Sequence, residues 1–251
     1  MNEQPTITAA CLAEIQTLVG AYVITHEYVV SGAANHIFRV CLPGTSIIAK
    51  VSKAGQPDLF ACEADALQFM AAKSTVRTPI VIGHSADVLW LEDLGQEHKD
   101  LSDEQWSAFG RQIGGMHRVL GERFGYSLNN YIGIWRQINT YSSDWVDFYF
   151  SNRVLCYMDS GFCKTILTKS DRDAIEKLAN KAHGILPPQA PSLCHGDFWI
   201  SNIFRRSDGS VYVIDPDVTR HSGSIRMIIR TTACSGRGRP APLMRVVAVR
   251  K

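Results

Sequence analysis

Apolar residues recur at helical spacing through TITAACLAEIQTLVG, residues 6–20, and stop at Gly20, which predicts an opening helix. The pattern then shortens. EYVVSGAANHIFRVCLPGTSIIAKVS, residues 27–52, predicts three short strands with turns at Ser31–Asn35 and Pro43–Gly44. A helical period returns in PDLFACEADALQFM, Pro57–Met70, opened by its proline. Two more strands follow, in TPIVIGH and DVLWLEDL. Beyond Leu94 the spacing predicts helices over Ser102–Leu120, Ser142–Tyr157 and Ser170–His183, with Ser102 and Ser170 placed as N-caps ahead of acidic residues. Last, NIFRR and VYVIDPD flank SDGS, whose Asp-Gly favours a hairpin. A β-rich portion with one helix, followed by a helical portion with one hairpin, predicts an α+β chain of two lobes with a ligand cleft between them.

Composition narrows the class. With 45% hydrophobic and 20% charged residues in 251, most of the chain is expected to fold as an ordinary globular enzyme. No apolar run approaches the ~20 residues that cross a bilayer, so no membrane partner is expected. The opening MNEQPTITAACLAEI lacks a basic segment ahead of an apolar core, so no secretory signal is expected. Seven scattered cysteines without a CxxC pair predict no disulfide framework, and together these features point to the cytoplasm. The net charge of +2 hides a break: residues 218–251 hold seven Arg, one Lys, no acid and no Phe, Trp or Tyr.

The candidate chemistry lies in CHGDFWISNIF, residues 194–204, and in VYVIDPD. Asp197 and Asn202 are five residues apart, and Asp215 ends an apolar strand thirteen further on. A loop Asp, an Asn at the loop's far end and an Asp leaving the paired strand suit phosphoryl transfer. The first carboxylate, Asp197, would orient and deprotonate the attacking hydroxyl; Asn202 and Asp215 would hold Mg²⁺ through oxygen. The triplet alone also suits a plain turn. His195 is expected to brace the loop, and Cys194 to be a buried thiol. Lys50, ending IIAK, would reach the phosphates of ATP, with Glu63 on the next helix to steady it; an edge-strand charge and a solvated helix face are the bland readings. SGAANH offers Ser31, Gly32, Ala33 and Asn35 as a phosphate-covering loop. The backbone from Glu92 to Leu94 would meet adenine, or is simply core strand.

These residues, with ERFGYSLNNYIG at 122–133, SDWVDFY at 143–149 and HGDFWISN at 195–202, resemble the fructosamine kinase (ketosamine 3-kinase) family, related to aminoglycoside phosphotransferases and protein kinases. The likeness runs from about residue 25 to about residue 217. It implies a two-lobed protein-kinase-like fold, with an ATP-binding N-lobe over 1–94 and a helical C-lobe over 95–217. It also implies Asp197 as catalytic base, Asn202 and Asp215 as Mg²⁺ ligands, and Lys50 with Glu63 as the ATP-phosphate pair. The implied activity is phosphorylation of the 3-hydroxyl of ketosamines on glycated amines or proteins, which ends in release of the amine. Phe198, Trp199, Trp145 and Tyr126 would face the sugar, or pack in the core. Rival functions are another small-molecule hydroxyl kinase, acting on an aminoglycoside, choline or a sugar, and a pseudokinase that binds without turnover. Two departures stand out: Ala33 and Ala34 replace the usual Gly or Ser, and after Asp215 the family's acidic residue and last helices give way to the basic tail. A shifted reading frame or truncation explains the tail better than a nucleic-acid-binding RGRP segment, so nucleic acid is not expected as a partner. The tail is then expected to be poorly ordered from about residue 222, leaving the chain unstable and weakly active or inactive. Nothing in the sequence indicates the oligomeric state.

Overall fold

The structure is a computed structural model and describes residues 5–222 apart from 33, 54, 98 and 99. The expectations for Ala33 and for the tail from residue 223 fall outside the described residues. Helix α1, Ala9–Val19, is capped by the Thr8 hydroxyl and ends at Gly20. Five antiparallel strands follow: β1 Thr25–Ser31, β2 Asn35–Leu42, β3 Thr45–Ser52, β4 Val81–His84 and β5 Val88–Glu92, in the order β1-β2-β3-β5-β4. Helix α2, Leu59–Lys73, lies between β3 and β4 in the chain. Side chains alternate across a strand, so each face of the sheet collects its own partner. Phe38, Val40, Ile47, Ala49, Val88 and Trp90 pack on Ile7, Cys11 and Ile15 around α1. Leu89 and Leu91 point the other way, onto Leu59, Phe60, Ala64 and Leu67 of α2. Lys50 follows Ala49 and therefore projects to the α2 side.

The second lobe starts with α3, Asp103–His117, closed at its N-terminus by a reciprocal Ser102–Gln105 capping box. A two-stranded hairpin follows, β6 Asn130–Ile132 and β7 Trp135–Gln137. The helix expected over Ser142–Tyr157 begins later, capped by Asp144, and is broken: α4 Trp145–Tyr149, a π-helical turn Phe150–Leu155, then α5 Cys156–Met158. Helices α6, Gly161–Ile166, and α7, Lys169–Ile185, come next. The cap of α7 is Thr168 rather than Ser170: its hydroxyl accepts from the Asp171 N–H, and the Asp171 carboxylate accepts from the Thr168 N–H. Strand β8, Pro191–Cys194, leads into the HGD loop, and β9, Ile203–Arg205, pairs with β10, Val211–Val213, as the Asp-Gly turn predicts. Strand β11, Thr219–Ser222, pairs back on β8, carrying regular structure past the boundary placed at 217.

One apolar cluster joins the lobes. Met70 at the end of α2 and Val76 beyond it pack with Phe109, Ile113 and Met116 of α3 and with Leu193, Ile203, Val211, Val213 and Val218. A second cluster, of Phe124, Trp145, Val146, Phe148, Phe150 and Ala182, ties the broken helix to α7.

Candidate active site

The strand period that points Lys50 toward α2 puts an ammonium in a nearly dry place, since Lys50 is only 4% exposed. Its Nζ lies 2.5 Å from Glu63 Oε1 and also donates to Asp215 Oδ1 from the second lobe. Burial alone would drive the proton off Lys50, but the two carboxylates hold its pKa above the usual lysine range, so it stays charged. Burial raises Glu63 despite the attraction of Lys50. Asp215 resists the same burial effect: Lys50 holds it below the usual carboxylate range. Its side chain is 49% exposed, so this carboxylate is open to solvent. Asp215 is also the only non-glycine among the described residues with positive φ, at 54°. Backbone in that region is strained for a residue with a Cβ.

The HGD loop is braced from behind. The Ile214 carbonyl accepts a hydrogen bond at 3.0 Å, so the proton of His195 sits on Nε2. Burial lowers the His195 pKa to about 4, which makes the ring a neutral strut. Gly196 has φ 88°, and a Cβ there would lie 1.8 Å from the Asp217 carbonyl oxygen. Only glycine lets the loop pass so close to the segment after β10, where the Asp217 N–H also donates to the His195 carbonyl at 2.8 Å. Asn202 Nδ2 donates to the Asp197 carbonyl at 2.9 Å and to Asp197 Oδ2 at 3.0 Å. Burial pushes the Asp197 carboxyl up while Asn202 and Trp199 pull it down. The Ile214 N–H donates to the Asn202 carbonyl at 3.0 Å, which sets Asn202 beside Asp215.

Five of the sequence-predicted residues, Lys50, Glu63, Asp197, Asn202 and Asp215, thus fall on the elements that meet between the lobes. The others make local contacts. Ser31 lies at the end of β1, its hydroxyl engaged with the Tyr28 hydroxyl and 2.6 Å from His36 Nδ1. Gly32 donates to the Asn35 carbonyl at 2.9 Å and accepts from Lys53 Nζ at 2.6 Å, which closes the turn. The Glu92 N–H donates to the Ile80 carbonyl at 2.8 Å, and its carboxylate accepts from the Ile80 N–H, so that donor serves the sheet, as in a plain strand. Leu94 is buried. Of the four aromatics, Tyr126 and Trp145 are core residues, and Phe198 stacks on Phe109; Trp199 is exposed and hydrogen-bonds Asp197.

Sequence reasoning missed Asp217. It is 4% exposed, accepts a hydrogen bond from Gln137 Nε2, and is pushed up to about 7 by burial, against the pull of Arg153. The signal was present as the second Asp of VYVIDPD.

Among the described residues no helix is long and apolar enough to cross a membrane. A sequence model described as fructosamine kinase matches residues 8–222. A chloroplastic protein-ribulosamine 3-kinase of Oryza sativa is 28% identical over 176 residues, 64% of this chain and 48% of that one. The chain thus spans about half the length of this curated relative. A solved structure assigned as a fructosamine-3-kinase of Thermobifida fusca superposes with a TM-score of 0.75 at 28% identity, over 86% of this chain and 76% of that one. A thermostable mutant of aminoglycoside phosphotransferase APH(4)-Ia, in ternary complex with AMP-PNP and hygromycin B, shares the fold alone, with a TM-score of 0.57 at 12% identity over 86% and 74% of the two chains. With a kinase-like two-lobed fold and a family match over nearly all the described residues, the chain belongs to the fructosamine kinase family.

Proposed function

We propose that the chain is an ATP-dependent kinase that phosphorylates the 3-hydroxyl of ketosamines, the sugar adducts that glycation leaves on amines. The observation that carries this reading is Lys50, fixed by Glu63 in its own lobe and Asp215 in the other. A buried ammonium flanked by carboxylates, one of them open to solvent, suits a triphosphate whose charge replaces part of that environment. The name of the rice relative, a protein-ribulosamine 3-kinase, supports the acceptor class.

In this reading Asp197 accepts the proton of the attacking hydroxyl. Its raised pKa makes it a stronger base than an exposed aspartate, and Asn202 fixes its direction. Ser31, Gly32, Ala33 and Asn35 cover the phosphates, and Glu92 and Leu94 flank the adenine. The donor set suits Mg²⁺: Asn202 commits its Nδ2 to Asp197, which leaves its side-chain carbonyl oxygen as a ligand, and Asp215 offers a half-exposed carboxylate. Asn202 and Asp215 would hold the ion, which offsets charge on the transferred phosphoryl. A phosphate beside the carbonyl carbon leaves readily, so the adduct breaks down and the amine is freed. Free thiols at Cys11, Cys41, Cys62, Cys156 and Cys163 fit a reducing compartment such as the cytoplasm.

The test is ADP release by the full chain with Mg-ATP and, separately, ribulosamine, fructosamine and an aminoglycoside. Turnover of a ketosamine is the expected result, slow if the basic tail weakens the second lobe. Turnover of the antibiotic alone, or nucleotide binding without any turnover, would reject this reading.

A further inference from the structure

The β6–β7 hairpin has an inverted pattern. Its apolar side chains Ile132, Ile134 and Trp135 are exposed, while Asn130 and Gln137 are buried. In the ladder Asn130 faces Gln137 and Tyr131 faces Arg136. Successive pairs on a strand point to opposite faces, so the hairpin presents two polar grips back to back.

One grip holds the first lobe. The Tyr131 hydroxyl donates to Asp58 Oδ1 at 2.5 Å, and Arg136 Nη1 donates to Asp58 Oδ2 at 2.6 Å. Asp58 sits at the N-cap of α2, where an Asp normally accepts from the helix's own first amides. Here it makes no such bond; its carboxylate serves the hairpin instead. The other grip holds the segment after Asp215: Asn130 Nδ2 donates to the Val218 carbonyl at 3.1 Å, and Gln137 Nε2 donates to Asp217. The hairpin is itself anchored, since Asn139 Nδ2 donates to Asn130 Oδ1 at 2.7 Å, Arg153 donates to Asn139, and the Tyr157 hydroxyl donates to the Arg136 carbonyl at 2.6 Å.

We propose that this hairpin is a two-faced positioning element that locks the helix bearing Glu63 to the segment bearing Asp215, so that Lys50 is held by both. Asp58, Tyr131 and Arg136 are the positioning residues on one face; Asn130, Gln137 and Asp217 are those on the other. None of the six touches the reacting atoms. The catalytic consequence rests on the function proposed above, but the mechanical coupling does not.

Amide hydrogen exchange on the full chain separates the two. Tyr131→Phe deletes only the hydroxyl that grips Asp58, and Gln137→Met deletes only the amide that grips Asp217. Tyr131→Phe is expected to speed exchange at 213–218, which it does not touch; Gln137→Met is expected to do the same in the first turns of α2. Should Gln137→Met fail to fold, the Tyr131→Phe result decides alone. With a turning-over wild type, Tyr131→Phe is expected to lower kcat about tenfold with an unchanged KM for ATP and a melting temperature within a few degrees. Exchange that rises only at the segment each variant touches, or an unchanged kcat in an active wild type, overturns the proposal. A wild type without turnover counts against the proposed function, and the exchange result still decides the coupling.

Discussion

Lys50 and Asp215, 165 residues apart in the chain, meet across the cleft as ammonium and carboxylate, with Glu63 as the third member. The two carboxylates are not equivalent. Glu63 is largely covered, like the lysine, whereas Asp215 has half its side chain in the open. Removing the lysine therefore leaves one carboxylate able to take up a proton and the other able to keep its water.

Lys50→Met is accordingly expected to fold. Removing one partner of a buried ion pair commonly costs ~3–5 kcal/mol, and solvent at Asp215 should reduce that. ATP binding should suffer far more, with KM for ATP up about tenfold or more and kcat down about 100-fold or more. Steady-state kinetics beside a thermal melt would check both. A variant that melts as the wild type does and keeps its kcat would remove Lys50 from the site.

Asp197→Asn preserves shape and removes the base. Loss of a general base lowers rates by roughly 10²–10⁴-fold. The contacts of Asn202 with the loop can persist, so nucleotide affinity should change less than about threefold. Single-turnover kinetics and nucleotide titration separate the two effects, and weakened binding with normal turnover would contradict the assigned role.

Gly196→Ala tests the loop's shape rather than its chemistry. The backbone is at φ 88°, and the new Cβ would stand 1.8 Å from a carbonyl oxygen that cannot swing away alone. Either the loop or the 215–218 segment must move. Destabilisation of more than about 2 kcal/mol is expected, read as a fall in denaturant midpoint. An unchanged midpoint would mean the close approach is not maintained in solution.

The two carboxylate-bearing motifs and the lysine were legible because their logic is local. Period-2 alternation sends Lys50 to the helix side, and an Asp-Gly turn pairs the strands that deliver Asn202 and Asp215. The β6–β7 hairpin was not legible: its strands are three residues long, and the usual signal is reversed, with Asn130 and Gln137 inside and Trp135 outside. Buried polar side chains are satisfied by partners far away in sequence, which no periodicity reveals. Thr168 and Ser170 show the limit at finer scale. Both precede acidic residues, and the reciprocal bond with Asp171, three residues on, selects Thr168.

Burial pushes the Asp217 carboxyl up to about 7, far above the ordinary aspartate value of 3.8. A carboxyl raised by folding binds its proton more tightly in the native state than in the unfolded one. Its stabilising effect is then complete below about pH 4 and is lost as pH rises toward 7. His195, lowered from 6.5 to about 4, works in the opposite sense, losing stability as pH falls through that range. The two slopes offset each other in the wild type. Asp217→Asn removes only the first, and the change is nearly isosteric. Among the described residues Gln137 Oε1 and Asp217 Oδ1 are both buried with no hydrogen-bond partner, so the new amide can donate where the ionised carboxylate cannot. Melts of wild type and Asp217→Asn from pH 5 to 8.5, in chelator so that no bound cation adds charge, should diverge as pH rises, with the variant gaining on the wild type up to about pH 7 and then running parallel. A difference that stays constant from pH 5 to 8.5 would mean that Asp217 keeps an ordinary pKa despite its burial.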